Sequence, residues 1–241
     1  MTWRAVVIVV LVAAGVRGVY LLQLTQSPLV SMHRWGQSDM AFFDQWARVI
    51  AGGDVWTDRS LHPMHDWHYA VANDYLRTHP YAAPSPFELW QEWYGGKRFH
   101  QEPLYPYLVA ATYALLGPDV RWVFAWQAVM GVGTCVLALR VARRHFGGAA
   151  GIIAGLAVAL CGPLVMYEGV LLRVTLITFL GVLAADLAGV AVVRRWRWGW
   201  AWVGLVVGLA VLTKSTYQLL LPAAALAAWL GGGRAGMGYG G

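Results

Sequence analysis

Six apolar stretches recur along this chain, at 5–24, 121–142, 149–167, 174–193, 198–213 and 216–231. Helices near twenty residues with few charges are long enough to cross the hydrocarbon core of a membrane. The last two stretches are shorter than the others. Only 12% of the 241 residues are charged, against about 25% in a soluble domain. The pattern therefore predicts an all-α polytopic membrane protein. The first run, WRAVVIVVLVAAGVRGVYLLQL, has no small-x-small cleavage site at its end, and further spans follow it. It reads as an uncleaved first helix over 1–25.

The net charge of +6 invites a nucleic-acid reading until it is partitioned. Residues 26–120 hold six Lys/Arg and ten Asp/Glu, so this stretch is acidic. Elsewhere the only acids are Glu168 and Asp186, and the basic excess gathers at helix ends, in Arg140-Val-Ala-Arg143-Arg144 and Arg194-Arg195-Trp-Arg197. This is the positive-inside bias, which concerns membrane orientation. Nothing points to DNA or RNA as a partner. With both clusters inside, 26–120 becomes one long exterior loop, and 121–231 a transmembrane bundle of about five helices. That parity leaves LYPYLVAATYALLG (104–117) as a juxtamembrane helix near 103–117, opened by Pro103 and closed by Gly117-Pro118, the alternative being a true span that would put both arginine clusters outside. A second juxtamembrane helix is expected near 38–51. Between them lies a stretch rich in His, Trp, Tyr and Pro, suited to the headgroup region. Residues 232–241 form a glycine-rich tail. The two cysteines, Cys135 and Cys161, fall inside predicted spans and imply no disulfide framework.

Carboxylates in such a setting need a reason. At helical spacing Asp39 shares a face with Phe42, Phe43, Trp46 and Ile50. It could serve chemistry there, or it could favour the helix dipole, with Ser38 or Asp39 as the cap. Asp44 has a sufficient structural reading in Arg48, four residues on. Glu168, in MYEGVLLR, is expected at the outer end of its helix. Two exterior carboxylates could share a divalent metal, or one could act as base while the other orients it. Arg173 and Lys214 sit where helices emerge outside. A cation there either snorkels to lipid phosphate or pairs with an anion. Arg17 and Asp186 are further intramembrane charges, and functional candidates by default. His62, His65 and His68 have spacing that could contribute to a metal site, although a zinc site normally needs a more defined ligand set. Their bland reading is a polar interfacial loop.

The order of parts carries a resemblance. A first span is followed by a loop with Asp39, then FHQEPLYPYLVAATYALLG, then QAVMGVGTCVLALRVARRHFGG, then GPLVMYEGVLLRVTLITFL. Over about 30–215 this resembles the membrane-embedded C-type (GT-C fold) glycosyltransferases of family 39. These are the dolichyl-phosphate-mannose–protein mannosyltransferase-like enzymes, to which the bacterial aminoarabinose transferases of lipid A are related. The resemblance implies transfer of a sugar, with inversion, from a polyprenyl phosphate to an acceptor at the outer face of the membrane, in a bacterium the periplasmic side of the inner membrane. Asp39 matches the family's catalytic acid of the first exterior loop, and Glu168 its second exterior acid. Arg173 and Lys214 are implied contacts of the lipid phosphate. His100 and Glu102 are implied substrate-binding residues, although Gln101-Glu102-Pro103 stands where the family has paired prolines. Family members run longer, so the chain is expected to be the N-terminal part of such an enzyme.

Two other classes compete. A transporter or flippase-like protein would concentrate ionisable residues at mid-membrane in several spans. A non-catalytic subunit that binds the lipid carrier would show no activity tied to Asp39.

Overall fold

The computed structural model describes residues 3–56, 64–93, 99 and 101–233, and all regular structure among them is helical. In chain order the helices are α1 (Trp3–Thr25), α2 (Asp39–Ala51), α3 (Asp66–Thr78), α4 (Pro86–Trp93), α5 (Leu104–Leu116), α6 (Val120–Phe146), α7 (Gly148–Ala159), α8 (Gly162–Glu168), α9 (Val174–Val193), α10 (Gly199–Thr213) and α11 (Leu220–Gly233). The chain divides into two compact units. A bundle unit comprises Met1–Val30 with Val120–Gly241, and an inserted unit comprises Ser31–Asp119.

In the bundle unit α1, α6 and α9 are each long and apolar enough to cross a membrane. The α7–α8 pair passes the same test together, although it bends by 52°, so among the described residues there are three candidate spans or four. The protein is thus an integral, multi-pass membrane protein. The continuous span expected at 149–167 is broken, and Gly162-Pro163 is the reason. Proline lacks an N–H and clashes with the preceding turn, so it is tolerated only where a helix begins. Pro163 accordingly sits in the first turn of α8, after an extended Cys161. At about 1.5 Å per residue, the fifteen residues of α10 rise only about 22 Å, short of the roughly 30 Å hydrocarbon thickness.

Between apolar helices in lipid, close packing replaces the hydrophobic drive, and small residues permit it. On α7 the buried Gly151, Gly155 and Ala159 recur every fourth residue. A Cβ at Gly155 would lie 3.1 Å from Leu139 and Val9, and one at Gly151 2.7 Å from Arg143. Val9, Ala13, Cys135, Leu139 and Ala159 close the core shared by α1, α6 and α7. At the far end of α6, the buried Asp186 of α9 accepts from Arg140 at 2.8 Å and Arg144 at 2.7 Å. This intramembrane acid is answered by one of the arginine clusters.

The inserted unit is built on α2 and α5. Ser38 caps α2, its Oγ accepting from the Ala41 N–H at 3.2 Å. The stripe Phe42, Phe43, Trp46 and Ile50 is buried, and Phe43 meets the fully buried Tyr105 edge-on. Thirteen residues of α5 rise about 20 Å, too little to cross. Pro106 is accommodated in its first turn, and Gly117 ends it at φ +89°, a conformation costly to residues with a Cβ. The stretch rich in His, Trp, Tyr and Pro, where the sequence marked no helix, contains α3 and α4. They pair through Trp90, which stands edge-on to Trp67 and His68 and whose Nε1–H donates to the His68 carbonyl at 2.8 Å. Propensity hid them: Asn, Asp, His and aromatics are weak helix formers, and aromatic packing supplies the stability.

Candidate active site

The inserted unit treats its two neighbouring aspartates oppositely. Asp44 is buried, accepting from the Tyr113 hydroxyl at 2.6 Å and from Arg48 Nε at 2.8 Å. Burial first, and then the bond to Asp44, raises the Tyr113 phenol above its ordinary range. The bond to Asp44 likewise raises the Arg48 guanidinium, which also lies over the Tyr113 ring. Asp44 is consumed in tying α2 to α5. Asp39 stands on the same apolar stripe as Phe43 and Trp46, but it is the first residue of α2 and exposed. Its stripe-mates turn into the α2–α5 contact, while the helix end carries the carboxylate clear of it. Among the described residues Asp39 has no hydrogen bond or ion pair to its side chain. Its carboxylate lies at the positive end of the α2 helix dipole.

The other expected acid is placed differently. Glu168, expected at an open helix mouth, ends α8 inside the bundle and is 2% exposed. Its Oε1 accepts from Arg17 Nη2 at 2.8 Å and Nε at 3.1 Å. Arg17 also donates to the carbonyls of Ala13 and Ala159. An unpaired buried charge is far costlier than a paired one, so these residues on α1 and α8 account for each other. Glu168 Oε2 and the Thr175 hydroxyl are buried without partners among the described residues, and both line one small cavity with Arg17, Gly131 and Thr134. Gly131 is required by this arrangement, since a Cβ there would lie 1.9 Å from Glu168 Oε1.

Arg173 and Lys214 come together at one end of the bundle. Arg173 precedes α9 and Lys214 follows α10, and Arg173 Nη1 donates to the Thr213 carbonyl at 3.3 Å. The two helices run antiparallel, so a helix start and a helix end share one mouth. There the last carbonyls of α10 draw the guanidinium. Lys214 is exposed.

Glu102 is half-buried just before α5, and His100 and His62 lie outside the described residues. His68 is 1% exposed, and its Nδ1 accepts from the His65 backbone N–H at 3.0 Å. Its ring serves the start of α3. Among the described residues no three His, Cys, Asp or Glu side chains converge as a metal ion would need.

Gln127, not singled out from the sequence, donates from Nε2 to the carbonyls of Glu168 at 2.8 Å and Val170 at 3.0 Å. A lone amide within the apolar run WVFAWQAVMG is the signal that could have found it, since side-chain amides inside membranes seek partners on other helices.

Compared with known proteins, residues 100–235 match the dolichyl-phosphate-mannose-protein mannosyltransferase family, a GT-C glycosyltransferase family. The match covers more than half of the chain, taking in Glu102, Glu168, Arg173 and Lys214, and Asp39 precedes it. No curated protein and no solved structure matches. The matched stretch is more than half of the chain and lies among helices long and apolar enough to cross a membrane, and the chain belongs to the dolichyl-phosphate-mannose-protein mannosyltransferase family.

Proposed function

We propose that this protein transfers a sugar from a polyprenyl-phosphate donor to an acceptor hydroxyl or amine at the exterior face of the membrane, with inversion. Family membership supports the donor class and the glycosyltransferase activity. The observation that carries the site is the contrast between Asp44, held by Tyr113 and Arg48, and Asp39, exposed and unpartnered among the described residues.

In this reading Asp39 takes the acceptor's proton while the acceptor attacks the anomeric carbon. The bond from that carbon to the phosphate oxygen breaks on the opposite side, and the electron pair leaves with the lipid phosphate. An oxocarbenium-like centre gains from a nearby carboxylate, and a departing phosphate from fixed cations. Arg173 and Lys214 supply the cations. Glu168 acts from within the bundle through its pair with Arg17, and Glu102 and His100 are further substrate-binding residues.

The test is transfer of labelled sugar from a panel of polyprenyl-phosphate donors in membranes carrying the full-length protein. Asp39→Asn at normal expression is expected to lower transfer by about 10²-fold or more. Asp44→Asn should chiefly reduce stability. No transfer by wild type across the panel overturns the activity. Normal transfer by Asp39→Asn overturns the site alone.

A further inference from the structure

The turn 169–173 between α8 and α9 is held from four sides. Arg17 grips the Glu168 side chain at its start. Gln127 binds the carbonyls of Glu168 and Val170. The Tyr20 hydroxyl donates to the Met166 carbonyl at 3.1 Å, and Leu24 and Tyr20 lie so close to Gly169 that a Cβ there would meet them at 2.5 and 2.7 Å. Leu171, in the middle of the turn, is fully buried. The turn then delivers Arg173, whose own guanidinium rests on Thr213 beside Lys214.

A segment of five residues without helix would not ordinarily receive this much of a membrane protein's buried polar chemistry. Polar groups in the bilayer interior are costly, and they persist where a specific geometry depends on them. A planar guanidinium that aims two donors at one carboxylate oxygen, as Arg17 does at Glu168 Oε1, fixes where that oxygen lies. An amide that bridges two carbonyls two residues apart does the same for the backbone.

We propose that Arg17 and Gln127 are positioning residues for Arg173. By fixing the 169–173 turn through Glu168 and the backbone, they set where the α9–α10 mouth presents its cations to a phosphate. This rests on the assignment of Arg173 and Lys214 to the donor phosphate. Neither Arg17 nor Gln127 touches substrate. Their action runs through Glu168, Val170 and the turn, and it concerns binding of the phosphate more than chemistry at the sugar.

The experiment uses the full-length protein in detergent, with geranyl phosphate as the soluble probe. Its Kd is read from tryptophan fluorescence, and KM and kcat are measured with a polyprenyl-phosphate sugar. Arg17→Met alone would strand Glu168 in the bundle, so the informative variants are the double Arg17→Met/Glu168→Met and the single Gln127→Leu. Both should weaken geranyl phosphate by roughly tenfold to a hundredfold, the range a misplaced binding group costs. They should raise KM more than they lower kcat. Arg17→Lys, which keeps the charge and loses the fork, should fall between these and wild type. Asp186→Asn breaks another buried pair of the same bundle, and should lower thermal stability while leaving the Kd unchanged.

Folded variants with a wild-type Kd overturn the positioning role and leave the transfer reading intact. A Kd weakened equally by Asp186→Asn overturns it as well, since general loosening would then explain the effect. If wild type transfers sugar but does not bind geranyl phosphate saturably, the phosphate is not held here and the inference falls alone. If wild type does neither, the transfer reading falls with it.

Discussion

Replacing Gly131 by alanine puts a single methyl group into the Arg17–Glu168 pair. The new Cβ would stand 1.9 Å from Glu168 Oε1, 2.4 Å from its carboxyl carbon and 2.6 Å from Arg17 Nε. The carboxylate must retreat by about 1 Å to reach even the closest tolerated contact, and its bonds of 2.8 and 3.1 Å to Arg17 are then lost. α6 is anchored by Gln127 one turn away, so the helix cannot easily yield in place of the side chain. Dislocating a buried pair costs about 3 kcal/mol, at the lower end for removing one partner. Alanine for glycine in a helix returns up to about 1 kcal/mol. The expected net loss is about 2 kcal/mol, or about 4–8 °C in Tm for a chain of this size.

The assay is thermal unfolding in detergent, with Gly15→Ala on α1 as the control. A Cβ at Gly15 meets nothing within 4 Å, so that change should be neutral or slightly stabilising. The decisive arm repeats Gly131→Ala in an Arg17→Leu/Glu168→Ala background, where Glu168 Oε1, its carboxyl carbon and Arg17 Nε are all absent. The loss should disappear there, as two changes that share one contact are not additive. A Gly131→Ala effect within about 0.5 kcal/mol of zero, the size of ordinary surface changes, would refute the arrangement. So would an undiminished effect in the double background.

Thr175→Val removes a buried hydroxyl without a hydrogen-bond partner among the described residues and should stabilise by about 1 kcal/mol, read as a higher Tm; a loss would show that the hydroxyl is paired across the cavity with Glu168 Oε2. Tyr113→Phe removes a donor from the buried Asp44 and should cost about 1.5–3 kcal/mol of stability in the inserted unit, as bonds to charged groups do, measured by protection of that unit from proteolysis. The Tyr113 phenol is raised in the folded state by burial and by Asp44, so the folded state holds its proton more tightly than the unfolded chain. The stability this contributes is fully present below the unfolded tyrosine value of about 10 and is lost as pH rises beyond it. Wild type should therefore lose stability between about pH 9 and pH 11 more steeply than Tyr113→Phe, and parallel profiles would contradict this.

The inserted unit shows what local pattern can and cannot foretell. The bounds of α2 and α5 follow from Ser38, from the 3–4 spacing of Phe42, Phe43, Trp46 and Ile50, and from Pro103 and Gly117-Pro118, all of which act within a few residues. Helices α3 and α4 escaped that reading because their stability is an aromatic contact between positions such as His68 and Trp90. In the bundle, apolar length marked the spans, and Gly162-Pro163 was a visible interruption whose bend only the packed helices resolve.

The sequence by itself determined that this chain is helical, that it lies in a membrane, and where most of its segments begin and end. Hydropathy and backbone hydrogen bonding are local, and in hydrocarbon they leave few other choices. Which charge meets which was decided by tertiary structure. Asp39 and Asp44 lie five residues apart on one helix, yet Tyr113, 69 residues away, engages only the second. Glu168 and Arg17 stand 151 residues apart, and neither neighbourhood contains the other's partner. A buried charge selects its partner by position in space, because burial strengthens a contact at hydrogen-bond distance and penalises any charge left without one.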